Sequence, residues 1–401
     1  MESDATCKAI VFTAIEKVDY LDIPKPKIEA PTDAVLRVLA CGICGSDLHP
    51  FHGREGCATG TAFGHECVGE IVALGTDVIT FSIGDRCAVP FSVACGHCFY
   101  CTEGMSARCD SSQLLGWRDP ASGNGLHGAQ SEYVRIPQAT GSLYRLIPEI
   151  SNDEGLLLGD IASTAAYAAA QAGAEERGVC PPADKPVFAV VGCGPVGLLA
   201  VALSRLMLSI RGYTDICIFA IDAVPARLEF ARKWGAVPLL LDLPGSPSDT
   251  SSGDFKKMSG VEMSDVIKEA SLSRGRSGRG ADSVIECVGA NSALLNAFDI
   301  AAPCGIVSSI GVHSTQFPFS PADVYDKNMT YKSGRCPARS LMDSVEKLLR
   351  IAKVAESGLG CNMVLTDVIS HKFPLSEGPK GYEIFDQKLD GCIKAVLYPQ
   401  H

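Results

Sequence analysis

The stretch VVGCGPVGLLA, residues 190–200, decides the fold. It closes an apolar β-branched run that begins at Val187, turns on Gly192, Gly194 and Gly197, and continues as an apolar helical pattern. A strand running into a glycine turn that opens a helix is the form a phosphate-binding crossover takes. Gly192 permits the tight turn, Gly194 lets the backbone approach a pyrophosphate, and Gly197 lets the helix lie close to the sheet. Pro195 and Val196 complete the turn at the helix N-terminus, where the phosphates are expected to sit.

The motif alone is weak, and the next strand strengthens it. DICIFAID ends in Asp222, 25 positions beyond Gly197, near the offset of ~20 residues expected of an acid that hydrogen-bonds ribose hydroxyls. A carboxylate there repels a 2′-phosphate and favours NAD over NADP, although Arg227 follows closely enough to accommodate some NADP. The bland reading of Asp222 is a solvated acid at a strand end.

Working outward, strand and helix patterns alternate through ARLEFARKWGA, ADSVIECVG and CGIVSSIG, as a doubly wound parallel sheet requires. Before residue ~160 the texture differs. Short β-branched runs such as AVLRVLA, ECVGEIVALG and DRCAVPF, joined by Gly and Pro, read as a β-rich lobe. The change falls at Ser163, where an Ala-rich helix begins. The expected fold is α/β, with a β-rich domain over 1–162, a Rossmann-type domain over 163–310, and a C-terminal part over 311–401. That last part carries a helix around Leu341–Ala355 and a strand, IKAVLYP. Pro181–Lys185 and Leu243–Gly260 read as surface insertions.

The chain has 401 residues, enough for two cores. Its net charge of −11 offers no general surface for nucleic acid. The first residues do not read as a signal peptide, and no run approaches the ~18 apolar residues of a membrane span, so a cytoplasmic protein with no membrane partner is expected. The 18 cysteines then point to metal ligation or buried small hydrophobes.

Their spacing decides between these. Cys95, Cys98, Cys101 and Cys109 sit in CGHCFYCTEGMSARC. Three thiols at two-residue gaps and a fourth after a seven-residue gap suit one closed, structural, tetrahedral zinc with Zn–S of ~2.3 Å. Unrelated core cysteines are the bland alternative, but Gly, Glu and Arg between them make poor core. His97 is an alternative fourth ligand.

A second cluster runs from Cys41 to His49 as CGICGSDLH and continues at GHE, Gly64–Glu66. A thiolate and an imidazole from neighbouring loops suit a catalytic metal that keeps a position open. Cys44 and His65 are the choices, with Cys41 competing for the thiolate role. Glu66 is placed as a transient ligand or a partner to the metal shell. By itself GHE reads as a solvated pair.

These motifs, with GAQSEYVRIP and LLLGDI, resemble the zinc-containing medium-chain alcohol dehydrogenases, and more narrowly their formaldehyde-dehydrogenase-like branch. The resemblance covers nearly the whole chain. It implies a GroES-like catalytic domain completed by the C-terminal segment, with the Rossmann domain inserted between, and an active-site zinc in the interdomain cleft. It implies Asp160 as the third zinc ligand; residue types alone suggest a helix-capping acid. It further implies Ser46 and His49 as a proton relay, Phe91 as a pocket wall and Arg339 as a pyrophosphate contact. Without it, Ser46 reads as a helix cap, and His49 or His52 as a loop histidine.

The expected function is therefore NAD-dependent hydride exchange with an alcohol or aldehyde held at zinc. A Lewis acid favours the anionic oxygen from whose carbon hydride leaves. Two zincs per chain, exchangeable NAD and a homodimer or homotetramer are expected. Exchangeable NAD follows from the lack, after Gly289, of the loop that encloses NAD in dismutating formaldehyde dehydrogenases. A polyol, sugar or amino-alcohol dehydrogenase is the alternative, and a non-catalytic zinc- and nucleotide-binding redox sensor is the reading from another class.

Overall fold

The computed structural model describes residues 5–174, 185–243, 255–313, 316–355 and 364–400. The chain builds two compact units. One comprises residues up to Ser163, with Pro337–Glu346 and the chain from Thr366 onward; the other comprises Thr164–Cys336 and Lys347–Leu365.

The first unit is β-rich. Its central strand, Ala34–Ile43, is buried along nearly its whole length because both edges are covered. Cys67–Leu74 pairs antiparallel on one side, while Tyr133–Ile136 and the C-terminal strand Lys394–Tyr398 share the other. The C-terminal strand sets Ala395 opposite Ile43 and Val396 opposite Gly42, so the last strand of the chain ends beside the CGICGSD segment. The helix Gly378–Gln387 buries Tyr382, Ile384 and Phe385 against this unit's core.

A short helix, Asn152–Gly159, starts on a capping box: the Ser151 side chain accepts from the Glu154 amide, and the Glu154 carboxylate accepts from the Ser151 amide. Such reciprocal pairing satisfies two donors that a helix start otherwise leaves open. At the other end, the Phe91 amide donates to the Gly159 carbonyl at 3.3 Å. Both ends of the helix are thus fixed, and Asp160 follows directly.

Among the described residues, the second unit is built on a seven-stranded, all-parallel sheet. Its order is Lys257–Met258, Val237–Leu241, Cys217–Asp222, Val187–Val191, Ala281–Glu286, Ala301–Ser309, Thr330–Ser333. Val187–Val191 is buried at every position, as a central strand covered on both faces must be. The chain winds outward from it, returns, and winds the other way, so the order reverses between Val187–Val191 and Ala281–Glu286. The unit runs beyond residue 310 because Thr330–Ser333 extends the same sheet.

Residues 181–184 and 244–254 of the two expected insertions lie outside the described residues. Within the second, the expectation of a surface insertion is corrected at its C-terminal end: Lys257–Met258 joins the sheet and Ser259 caps the helix Gly260–Ser273. The helix expected around Leu341–Ala355 spans Ala338–Ala355. Among the described residues no helix is long and apolar enough to cross a membrane.

Candidate functional site

Four side chains of the first unit converge: Cys44, His65, Glu66 and Asp160 each place one donor atom within 4.8 Å of all the others. The Cys44 Sγ to Asp160 Oδ2 separation is 3.7 Å and His65 Nε2 to Asp160 Oδ2 is 3.3 Å. A tetrahedral zinc with ligands at ~2.0–2.3 Å has donor–donor edges of roughly 3.3–3.8 Å, so these separations fit that ion. The Ser46 hydroxyl joins the group, donating to Cys44 Sγ at 3.1 Å and lying 3.1 Å from His65 Nε2. Cys41 does not join it; its thiol turns into the sheet, towards the Leu397 carbonyl at 3.6 Å.

Electrostatics also call for a cation. Burial, reinforced by the Glu66 and Asp160 carboxylates, pushes the Cys44 thiol up. Burial raises Glu66 as well, against the opposing pull of Lys394. Burial alone would lower His65, yet Asp47 and Cys44, with Asp160 hydrogen-bonded to it, hold it well above its ordinary value. A thiol and a carboxylate whose anionic forms burial disfavours are donors from which a metal ion displaces protons.

Residues the motifs did not single out hold this shell in place. His65 Nδ1 lies 3.1 Å from Asp47 Oδ1, the carboxylate–imidazole pairing that fixes the orientation of a metal-binding ring. Asp47 Oδ2 accepts from the Cys44 amide at 2.9 Å and from Gln130 Nε2 at 3.2 Å. Gln130 Oε1 in turn accepts from the Tyr382 hydroxyl at 2.9 Å. Lys394 pairs with Glu66 and donates to the Ile43 carbonyl at 2.9 Å. Asp47 stands inside the quoted CGICGSDLH stretch, where the sequence reading gives it no role at the metal. Gln130 stands in GAQSEYVRIP, a stretch quoted for the resemblance but given no role there, whereas Tyr382 and Lys394 carry no local signal.

Of the expected relay, Ser46 is in the cluster. His49 is half-buried, its Nδ1 has no hydrogen-bond partner, and burial lowers its pKa. No hydrogen bond joins the two side chains. His52 is occupied by Asp386 at 2.8 Å and Glu16 at 3.3 Å. Phe91, half-buried, is tied through its amide to Gly159, next to Asp160.

Cys95, Cys98, Cys101 and Cys109 form the second cluster, their sulfurs within 4.8 Å of one another. Amides aim at the sulfurs: Cys95 N–H donates to Cys109 Sγ at 3.1 Å and Cys98 N–H to Cys95 Sγ at 3.3 Å. The amides of Asp110 and Cys101 bring Cys98 down to about 6, whereas burial pushes Cys101 up to about 12. The four-sulfur set fits a closed zinc site. His97 stays out of it, donating through Nδ1 to the Cys95 carbonyl at 3.0 Å.

In the second unit the glycine turn has the form a pyrophosphate needs. Gly192 sits at φ +89°, and a Cβ on Gly197 would lie 1.8 Å from the Gly192 carbonyl oxygen, so neither position accepts a side chain. Gly194 and Pro195 open the helix Pro195–Ile210, with Val196 half-exposed beside them. Asp222 ends its strand with both oxygens engaged: Oδ2 accepts from the Cys193 amide at 2.7 Å and Oδ1 from the Val224 amide at 2.8 Å. It therefore braces the turn. Arg227 stands 3.7 Å from it. Arg339 belongs to the first unit, its guanidinium 5.7 Å from the centroid of the Tyr144 ring.

A sulfur–nitrogen–oxygen donor cluster that fits a metal ion, in a β-rich unit, and a glycine turn in a doubly wound sheet are features that metal-dependent dehydrogenases combine. Comparison with known proteins narrows the class. Residues 30–147 match the Alcohol dehydrogenase GroES-like domain family and residues 195–353 the Zinc-binding dehydrogenase family. The chain is 36% identical to a zinc-type alcohol dehydrogenase B of Aspergillus flavus, over 96% of this chain and 80% of that one. It is 40% identical to a medium chain reductase/dehydrogenase of an Acremonium species, over 81% of this chain and all of the other. Among solved structures, the alcohol dehydrogenase of Thermus sp. ATN1 superposes with a TM-score of 0.78 at 32% identity, covering 98% of this chain and 100% of its own. The protein belongs to the zinc-containing medium-chain alcohol dehydrogenase superfamily.

Proposed function

We propose that the protein is a zinc-dependent, NAD-linked alcohol dehydrogenase that exchanges a hydride between an alcohol, or its aldehyde or ketone, and the coenzyme. The observation that carries this reading is the meeting of Cys44, His65 and Asp160 with the Ser46 hydroxyl among them. When bound there, zinc supplies Lewis acidity towards the substrate oxygen, and NAD supplies the hydride acceptor.

The side chains do the rest. Cys44, His65 and Asp160 hold the ion and leave a position for substrate, while Glu66, restrained by Lys394, stands by as an exchangeable donor. Ser46 meets the substrate hydroxyl and orients it. His49, with a free ring nitrogen and a lowered pKa, takes the released proton outward. Phe91 walls the site beside Asp160. The glycine turn and the N-terminus of Pro195–Ile210 hold the pyrophosphate, Asp222 favours NAD, and Arg227 tempers that preference. The Cys95, Cys98, Cys101 and Cys109 cluster takes a second, structural zinc. Asp in the third ligand position supports a place near the formaldehyde-dehydrogenase branch. The partners proposed are small alcohols or aldehydes and further copies of the chain, in a cytoplasmic setting.

Purified protein assayed with NAD and NADP against short alcohols, hydroxymethyl adducts and polyols, beside a chelator-treated control, tests the proposal. Metal-dependent NADH formation with two zincs per chain is the expected result. A protein that holds zinc but reduces neither coenzyme with any alcohol, and oxidises neither reduced coenzyme with any aldehyde, overturns it.

A further inference from the structure

Away from the metal clusters, the second unit contains a buried side-chain knot that the proposed chemistry does not use. Glu286 is fully buried at the end of the strand Ala281–Glu286. One oxygen, Oε1, accepts from the amides of Val288 and Gly289, each at 2.7 Å. The other, Oε2, accepts from the Ser309 hydroxyl at 2.7 Å and lies 3.1 Å from His313 Nε2. Ser309 Oγ and His313 Nε2 are themselves 2.8 Å apart. A carboxylate has no proton to give and the Ser309 proton is already committed, so His313 Nε2 carries the proton in this triangle.

The knot ties two loops together at one place in the sheet. Glu286 lies in register with Val191, the residue before Gly192, and Ser309 lies in register with Glu286. The first loop, Val288–Gly289, and the second, Ile310–His313, therefore leave the carboxyl ends of adjacent strands. They also touch, since a Cβ on Gly289 would meet the Val312 carbonyl oxygen at 2.5 Å. Between Val187–Val191 and Ala281–Glu286 the strand order reverses. At such a switch point a dinucleotide crosses the sheet, one half lying on the strands wound first and the other on those wound second. Asp222 stands on the first side, so the nicotinamide half falls on the side of Glu286 and Ser309.

We propose that Glu286, Ser309 and His313 are positioning residues that set the two loops against which the nicotinamide half of the coenzyme lies. This rests on the dinucleotide reading given above. The carboxylate acts through the loops it fixes, with no contact of its own to the coenzyme. Burial of a charged group at the rim of the sheet is costly unless it is hydrogen-bonded, and here all of its contacts go to segments that flank the crossing.

The two halves of the coenzyme allow a direct test. ADP-ribose carries the adenosine and pyrophosphate, whereas NADH adds the nicotinamide. Because replacing Glu286 risks the fold, the substitutions fall on Ser309→Ala and His313→Ala, with Ser309→Thr as the conservative variant that keeps the hydroxyl. Binding of both ligands is titrated by calorimetry and, for NADH, by fluorescence. Loss of the clasp is expected to weaken NADH by about tenfold, the size of one hydrogen-bonded constraint, and to leave ADP-ribose within about twofold. Ser309→Thr is expected to restore NADH affinity. Equal weakening of both ligands, or no change in either, overturns the proposal, because a merely structural knot does not distinguish the two halves. If the unaltered protein binds neither ligand, the dinucleotide reading itself fails, an outcome separate from failure of the clasp.

Discussion

Lys394 and Glu66 face one another as a charged pair with side chains 0% and 1% exposed. The strand Lys394–Tyr398 delivers the ammonium, and its pairing with Ala34–Ile43 puts it there. Burial works to lower the pKa of Lys394, but Glu66 and Cys44 hold it above its ordinary value. Breaking such a pair leaves one charge buried and uncompensated. Lys394→Met is therefore expected to cost about 3–5 kcal/mol of stability, read as a lower midpoint in urea. Lys394→Met combined with Glu66→Gln is expected to recover most of the loss. Additive losses in the double variant would contradict the pairing argument.

The chain of hydrogen bonds from Tyr382 through Gln130 and Asp47 to His65 predicts an effect on the metal from a residue that never touches it. Tyr382→Phe keeps the ring and removes only the hydroxyl. Outer partners of metal-binding histidines are worth about 10–100-fold in metal affinity. As the third link in the chain, Tyr382 should sit at the low end, speeding zinc release to a chelator by up to about tenfold. Unchanged release kinetics would remove it from the metal site.

The metal-free protein should lose stability as pH rises. Glu66, His65 and Cys44 are all raised above their ordinary values of 4.5, 6.5 and 9.0. A group with a raised folded pKa contributes stability that is present in full below its unfolded value and is lost as pH climbs through the folded one. The losses therefore begin near pH 4.5 for Glu66, 6.5 for His65 and 9.0 for Cys44, and share one sign. Bound zinc displaces the protons of His65 and Cys44, so the zinc-loaded protein should instead gain stability as pH rises towards their unfolded values of 6.5 and 9.0. Melting temperatures of both forms from pH 5 to 9 check this, and parallel curves would count against it.

Asp222 predicts coenzyme choice. Asp222→Asn removes the charge that opposes a 2′-phosphate yet keeps one oxygen for a backbone amide of the turn. The ratio of kcat/KM for NAD over NADP should fall by at least about tenfold, or 1.4 kcal/mol, with Arg227 beside it to receive the extra phosphate. Arg227→Ala in the same background should reverse part of the gain. Comparing the two coenzymes in one protein cancels the loss of turn stability, which should itself be only about 1 kcal/mol.

Much of the molecule was legible before its structure. The strand, glycine turn and helix at residues 187–200 carried their own chemistry because the groups that act together are adjacent in the chain. The same holds for the thiols between Cys95 and Cys109, and for Cys44 and Ser46 within one short loop. Asp160 was legible only through resemblance. An acid between two helices carries no mark of metal binding, and what places it is the docking of Asn152–Gly159, capped at Ser151 and held at Gly159.

By itself the sequence determined the two kinds of unit, the donor types and the glycine turn, since periodicity, residue chemistry and short spacing are local properties. Only the tertiary structure decided which thiol, Cys44 or Cys41, faces the donor cluster. It also brought in Lys394, whose ammonium meets the Ile43 carbonyl across 351 residues of chain, and Tyr382, which meets Gln130 across 252. The physical reason is that strand register and helix docking, set by burial along the whole unit, bring these groups together. No local pattern records which distant residue will be opposite.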